Sequence, residues 1–194
     1  MLRLDSISVT QFKNYSTRSF TFPERITGIC GNNGVGKTNL LDAIHYLCFT
    51  KSCFTRDSLN SLQGRSGFRI EGHFKLGEKE EKAICILRET GKKEFSVNDE
   101  LYERFSHHIG HYPGVMIGPD DSRLITGGSE ERRRFLDELI SQLDAVYLQN
   151  LINYNKVLVQ RNSQLRHLAM TGSQDHSLLE VLDEQLSKPG TGIA

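Results

Sequence analysis

Eight consecutive residues, Gly31, Asn32, Asn33, Gly34, Val35, Gly36, Lys37 and Thr38, set glycines, an amine and a hydroxyl at the spacing of a phosphate-binding loop. Glycine admits backbone torsions closed to other residues, so successive N–H groups can turn into one concave nest for phosphate oxygens. A helix beginning near Lys37 adds the positive end of its dipole. Lys37 is then placed for the β- and γ-phosphates, and the Thr38 hydroxyl for Mg²⁺. The expected ligand is a nucleoside triphosphate, ATP with Mg²⁺. A glycine-rich turn that merely caps a helix is the alternative, and the flanking patterns argue against it. The loop alone does not separate an NTPase from a nucleotide switch.

That chemistry needs a strand before the loop and a helix after it. Ile26, Thr27, Gly28, Ile29 and Cys30 read as the strand, and Leu40, Leu41, Ile44, Leu47 and Cys48 recur at helical spacing over 39–49. Upstream, Leu2, Leu4, Ile7 and Val9 alternate with polar residues, with one slip, as a strand does. Phe12 to Tyr15 reads as a turn, and 18–22 as a second strand with Phe20 and Phe22 on one face. Residues 50–67 are polar and loop-like. Three strands over 68–74, 83–89 and 94–97, with turns at Gly77 and Gly91, suggest an antiparallel meander. From Glu130 onward apolar residues return every three or four positions, which predicts two or three helices with breaks near Asp144 and Gly172. A last helix is expected over 177–186, with Lys188 to Ala194 adding no further element. The expected fold class is α/β: a P-loop NTPase lobe with an antiparallel β subdomain over 1–120, followed by the start of an α-helical lobe over 121–194.

Lys and Arg number 24, as do Asp and Glu, so the formal net charge is zero. That argues against a globally basic nucleic-acid binder, and any DNA contact must come from a local patch. The candidate patch is Arg132, Arg133 and Arg134 with Lys156, Arg161 and Arg166. It reads equally as a solvated helix face, with Glu130, Glu131, Asp137 and Glu138 as intrahelical partners. No apolar run reaches the ~18 residues of a membrane span. The N-terminus carries no apolar signal core, so a cytoplasmic protein is expected. Cys30, Cys48, Cys53 and Cys85 form no Cys-x-x-Cys pair and are expected as reduced, mostly buried thiols. His107, His108 and His111 have no acidic or thiol partner at ligand spacing, which argues against a metal site. Leu124 to Ser129 imitates an ABC signature loop; it is read as a helix start capped by Ser129, with Glu130 and Glu131 at the positive end. Leu178 to Glu184 imitates an acidic Walker B strand. It is read as an amphipathic helix, because Glu180 unpaired in a central sheet would be too costly.

Phe12-Lys13-Asn14-Tyr15, followed by the phosphate loop and Asn39-Leu40-Leu41-Asp42-Ala43-Ile44, resembles the SMC-like branch of ABC-type ATPases. Arg133-Arg134-Phe135-Leu136-Asp137, and Tyr154 with Lys156, Leu158, Gln160, Arg161 and Asn162, narrow the resemblance to the RecF family of bacterial DNA replication and repair proteins. The resemblance runs from Leu2 to about Leu186. It implies ATP-dependent DNA binding at single-strand gaps, on single-stranded and gapped double-stranded DNA, in support of recombinase loading, replication restart and the SOS response. RecR and RecO are the implied partner proteins, and ATP would drive homodimerisation of the full-length protein. It also implies adenine or ribose contacts by Lys13 and Asn14, and a place for Asp120 where related ATPases carry their Q-loop. Family members are longer than this chain, with Walker B and signature motifs in a C-terminal half. Weak hydrolysis is therefore expected from the full-length dimer, and no catalytic residue is assigned here. The alternatives are another SMC-like ATPase with a mechanical or regulatory role, including a nuclease fusion of the overcoming-lysogeny type, or a truncated remnant that binds nucleotide.

Overall fold

The computed structural model describes residues 1–172 and 175–193, without the side chains of Pro119 and Asp120, and divides into two units, Met1–Met116 and Ile117–Ala194. The first unit is built on six strands: β1 (Leu2–Phe12), β2 (Tyr15–Thr21), β3 (Phe68–Leu76), β4 (Lys79–Leu87), β5 (Lys93–Val97) and β6 (Glu100–Leu101). They pair antiparallel in the order β2-β1-β3-β4-β5-β6. The slip in the β1 alternation is real. Leu4 pairs with Phe74 but Ser6 pairs with His73, so Asp5 is the extra residue of a bulge. The bulge restores Ile7 and Val9 to the same side as Leu2 and Leu4.

One helix, α1 (Lys37–Phe49), covers one face of this sheet. Phe68, Ile70, Gly72 and Phe74 of β3 are buried, and Arg69, Glu71, His73 and Lys75 alternate with them. Ile7, Val9, Ile70, Ala83, Cys85 and Phe95 from the sheet enclose Leu40, Ala43, Tyr46 and Leu47 from α1. Each large apolar side chain so buried contributes roughly 1.5–3 kcal/mol. Phe12 and Tyr46 meet Phe68 edge-on, with ring centroids 5.2 and 5.4 Å away. Helix and strand approach closely at Gly72, where a Cβ would lie 2.5 Å from Leu47 Cδ1. The buried face of α1 is rotated from the expected one. Leu41 is exposed, whereas Asp42, Ala43, His45 and Tyr46 are buried.

The expected strand over 26–30 does not form among the described residues. β1 is already paired on both edges, by β2 and β3, and 26–30 forms no ladder with any described strand. Cysteine burial also differs from expectation. Cys85 is buried and Cys48 half-buried, but Cys30 and Cys53 are exposed, because one precedes the phosphate loop and the other lies in the connection after α1. Burial pushes the thiols of Cys48 and Cys85 up to about 12.

The second unit is helical: α2 (Arg123–Thr126), α3 (Ser129–Leu143), α4 (Ala145–Thr171) and α5 (Ser177–Thr191). Both expected breaks occur. Asp144 ends α3 and caps α4 by accepting from Val146 N and Tyr147 N at 2.7 and 3.0 Å. Gly172 closes α4 at φ 67°, its N–H on Leu168 O. Tyr147 Oη donates to Asp137 Oδ1, tying the start of α4 to α3, and that bond pushes the phenol up to about 12. α5 returns antiparallel along α4, with Leu168, Leu179 and Leu182 buried and Arg161 paired to Asp183. Two details depart from expectation. Gly128, not Ser129, holds the α3 cap position, because Ser129 is already helical; Glu130 and Glu131 do lie in the first turn. α5 runs through Pro189, which is buried in the final turn, where the ladder loses only one donor.

Candidate phosphate-binding site

The loop between 30 and 37 ends directly in α1. Gly34 and Gly36 adopt φ of 84° and 106°, torsions that side-chain-bearing residues rarely hold, and Gly36 is the N-cap. No side chain caps this helix and its first turn contains no acidic residue. The first-turn amides, which have no partner inside the helix, therefore remain for a ligand, and an anion is the ligand their dipole favours. Lys37 Nζ donates to Gly31 O and Asn32 O, both at 2.9 Å, folding its ammonium over the loop. Thr38 is exposed beside it. Glycine loop, ammonium and exposed hydroxyl thus lie together at the N-terminus of α1, a donor set whose chemistry suits a triphosphate and its cation. Lys37 would hold the phosphates and Thr38 the Mg²⁺.

The β1–β2 turn braces the loop. Tyr15 Oη donates to Gly36 O at 2.9 Å from a buried position. Asn39 Nδ2 donates to Asn14 Oδ1 at 2.7 Å, and Asn14 Nδ2 reaches Gly34 O at 3.5 Å. Asn14 is exposed at the loop's edge. Lys13 has another partner: its Nζ lies 2.5 Å from Asp42 Oδ2, a fully buried carboxylate in α1. Asp42 also accepts from Ser52 Oγ at 2.6 Å and Cys53 N at 2.8 Å, so all its donors come from flanking segments. Lys13 itself sits at φ 51°, and its N–H is held by Asn60 O at 2.7 Å.

The polar segment after α1 is a loop, as expected, but a tightly held one. Asn60 is fully buried, accepting from Thr55 Oγ1 and donating to Arg56 O at 3.1 Å. Asp57 accepts from Tyr46 Oη at 2.5 Å and from Lys93 Nζ at 2.7 Å. Burial, first, and the Asp57 carboxylate raise the Tyr46 phenol far above its ordinary value.

Asp120 belongs to the short 3-10 turn Pro119–Ser122 of the second unit, and its side chain lies outside the described residues. His108 is fully buried, with Nε2 donating to Leu47 O at 2.7 Å and Nδ1 without a hydrogen-bond partner. Burial lowers its pKa to about 4. His111 gains an acidic partner that the sequence spacing does not reveal, Glu81 of β4 at 2.8 Å, which Tyr112 also contacts. No cluster of three or more potential metal ligands occurs among the described residues. In the second unit Arg132, Arg133 and Arg134 are exposed. Arg132 donates to Gly127 O and Arg134 pairs with Glu130, while Lys156 and Arg166 are also exposed. No helix is long and apolar enough to cross a membrane among the described residues.

Tyr15, Asn39 and Asp42 lie inside the motifs that carry the family resemblance, and Ser52 lies in none; the contacts these four residues make follow from no local spacing.

The family model described as the AAA domain matches residues 6–188. "DNA replication and repair protein RecF" of Flavobacterium johnsoniae is 40% identical over 193 residues, covering 99% of this chain and 54% of that protein. The protein of the same description from Parabacteroides distasonis is 45% identical over 188 residues, covering 96% and 50%. The chain thus spans about half the length of the curated relatives it matches. A solved structure of the recombination mediator protein RecF with ATP superposes with a TM-score of 0.89 at 31% identity, over 99% of this chain and 52% of that one. An SMC ATPase structure, at TM-score 0.56 and 19% identity over 70% of this chain and 98% of that one, shares the fold. The chain therefore belongs to the AAA-domain family of α/β P-loop ATPases and is similar to the N-terminal half of RecF proteins.

Proposed function

We propose that the chain binds ATP and Mg²⁺ on Gly31, Asn32, Asn33, Gly34, Val35, Gly36, Lys37 and Thr38, and that it is the nucleotide-holding part of a DNA replication and repair protein. One observation carries the reading: an uncapped helix N-terminus, two left-handed glycines and a lysine folded onto Gly31 and Asn32 form one anion nest. Of the turn residues, the reading gives Asn14 a nucleotide contact and leaves Lys13 with Asp42. Asp120 is retained as a candidate contact to the nucleotide's surroundings.

Similarity to RecF proteins supports a wider function, which is proposed for the full-length protein. It comprises ATP-controlled dimerisation of the full-length protein, action at single-strand gaps with RecO- and RecR-type partners, and recombinase loading in replication restart and the SOS response, all in the cytoplasm. ATP would act as a switch, hydrolysed weakly by the full-length dimer. Arg132, Arg133, Arg134, Lys156 and Arg166 are the candidate phosphate contacts on DNA.

The test is calorimetric titration with ATP and Mg²⁺ of the chain and of Lys37→Ala. Loss of the ammonium should weaken binding by about 100-fold, the scale of a charge-assisted contact to phosphate. Equal affinity in the two proteins defeats the reading.

A further inference from the structure

Gly36 contributes more to this site than a left-handed torsion. Its carbonyl accepts two hydrogen bonds, from Leu40 N at 2.9 Å within α1 and from Tyr15 Oη at 2.9 Å across the fold. The helix already satisfies that carbonyl, so Tyr15 is not needed to spare an orphan acceptor. What the second bond adds is direction. The peptide between Gly36 and Lys37 is planar and trans, and its C=O and N–H point opposite ways. A phenol that holds the carbonyl turns the Lys37 N–H to the side opposite Tyr15. That N–H is the first amide of α1 and has no acceptor inside the helix.

Tyr15 is well placed to impose this orientation. It is 8% exposed, belongs to the hydrophobic core, and meets the Phe20 ring at 5.7 Å between centroids. Its hydroxyl stands where a Cβ on residue 36 would be, 2.7 Å from that position, with both Asn14 amide atoms at 2.8 Å. Glycine at 36 thus makes room for the brace as well as for the torsion. Asn14, whose Oδ1 accepts from Asn39 Nδ2 of α1, ties the turn that carries Tyr15 to the helix. We propose that Tyr15 is a positioning residue for phosphate binding: by holding the Gly36 carbonyl it aims the Lys37 amide at the bound phosphate chain. This rests on the reading of the loop as a triphosphate site.

The test uses the whole chain and Tyr15→Phe, titrated by calorimetry with ATP plus Mg²⁺ and with inorganic tripolyphosphate. Urea unfolding of both proteins and the backbone amide shifts of residues 34–39 are recorded alongside. Tyr15→Phe keeps the ring in the core and leaves Leu40 N on the carbonyl, so the urea midpoint should stay near the wild-type value. Affinity for both ligands should fall by about five- to ten-fold, the worth of one aimed hydrogen bond. The shift of the Lys37 amide on adding tripolyphosphate should shrink while that of Thr38 persists. Unchanged affinity overturns the proposal. So does an affinity loss that parallels a drop in the urea midpoint, with all loop amides moving together, since that marks a purely structural ring. If the wild-type chain binds neither ligand, the nucleotide reading fails and takes the proposal with it. Wild-type binding with an equal Tyr15→Phe affinity removes the proposal alone.

Discussion

Lys13→Met should act on stability and not on nucleotide affinity. Asp42 is fully buried, and its three donors are Lys13 Nζ at 2.5 Å, Ser52 Oγ at 2.6 Å and Cys53 N at 2.8 Å. Lys13 is the one cation on Asp42 among the described residues, and removing it leaves a buried carboxylate with two neutral donors. Breaking a buried pair on one side costs about 3–5 kcal/mol, and the two surviving hydrogen bonds set the expectation at the lower end, about 3 kcal/mol. With a urea slope of ~2 kcal/mol/M the unfolding midpoint falls by about 1.5 M. In an Asp42→Asn background there is no charge to strand, and the same substitution should cost under about 1 kcal/mol. Paired urea titrations of the four proteins measure the difference. A cost within about 0.5 kcal/mol of zero in the wild-type background, or an equal cost in both, would refute the reasoning. ATP titration below the unfolding range provides the second arm, where affinity should remain within about two-fold. A tenfold loss of affinity with stability intact would move Lys13 from the fold to the nucleotide.

Gly72→Ala should destabilise the chain by about 1–3 kcal/mol, because its Cβ would meet the fully buried Leu47 side chain and displace α1 from β3; thermal unfolding reads this. His108 provides a pH signature. Its pKa falls from the ordinary 6.5 to about 4 on burial, so the unfolded chain takes up a proton first as the pH drops. The stability it supports is complete above pH 6.5 and is lost between 6.5 and 4, by about 3 kcal/mol in all. His108→Gln keeps a donor for Leu47 O but does not titrate, so its urea midpoint should vary less over that range; an unchanged pH slope would refute the assignment.

Much of the scaffold is legible in the residues, because local physics fixes it. The β1 slip marks a bulge, since alternation has to resume on the buried side. Asp144 and Gly172 mark helix ends because their side chain and torsion terminate helices. The passage from loop to helix is legible for the same reason: Gly34 and Gly36 take left-handed torsions and α1 starts at Lys37 directly after them. The absence of a strand over 26–30 was not legible, because a strand exists only through its ladder, and that segment pairs with no described strand. The rotation of the α1 face was hidden too. Asp42 counts as polar in any periodicity, yet it is buried because Lys13, Ser52 and Cys53 come to it from flanking segments.

The sequence by itself determined that a glycine loop at Gly31 to Gly36 runs directly into a helix at Lys37, that an antiparallel meander follows, and where the second unit's helices break. Only the tertiary structure decided what holds the loop in shape. Tyr15 reaches Gly36 across 21 positions and Lys13 reaches Asp42 across 29 (42 − 13), and neither pair is encoded by any local spacing. Such pairings depend on the turn between β1 and β2 closing over α1. That is a matter of burial and chain path, and it appears only once the sheet has folded around the helix.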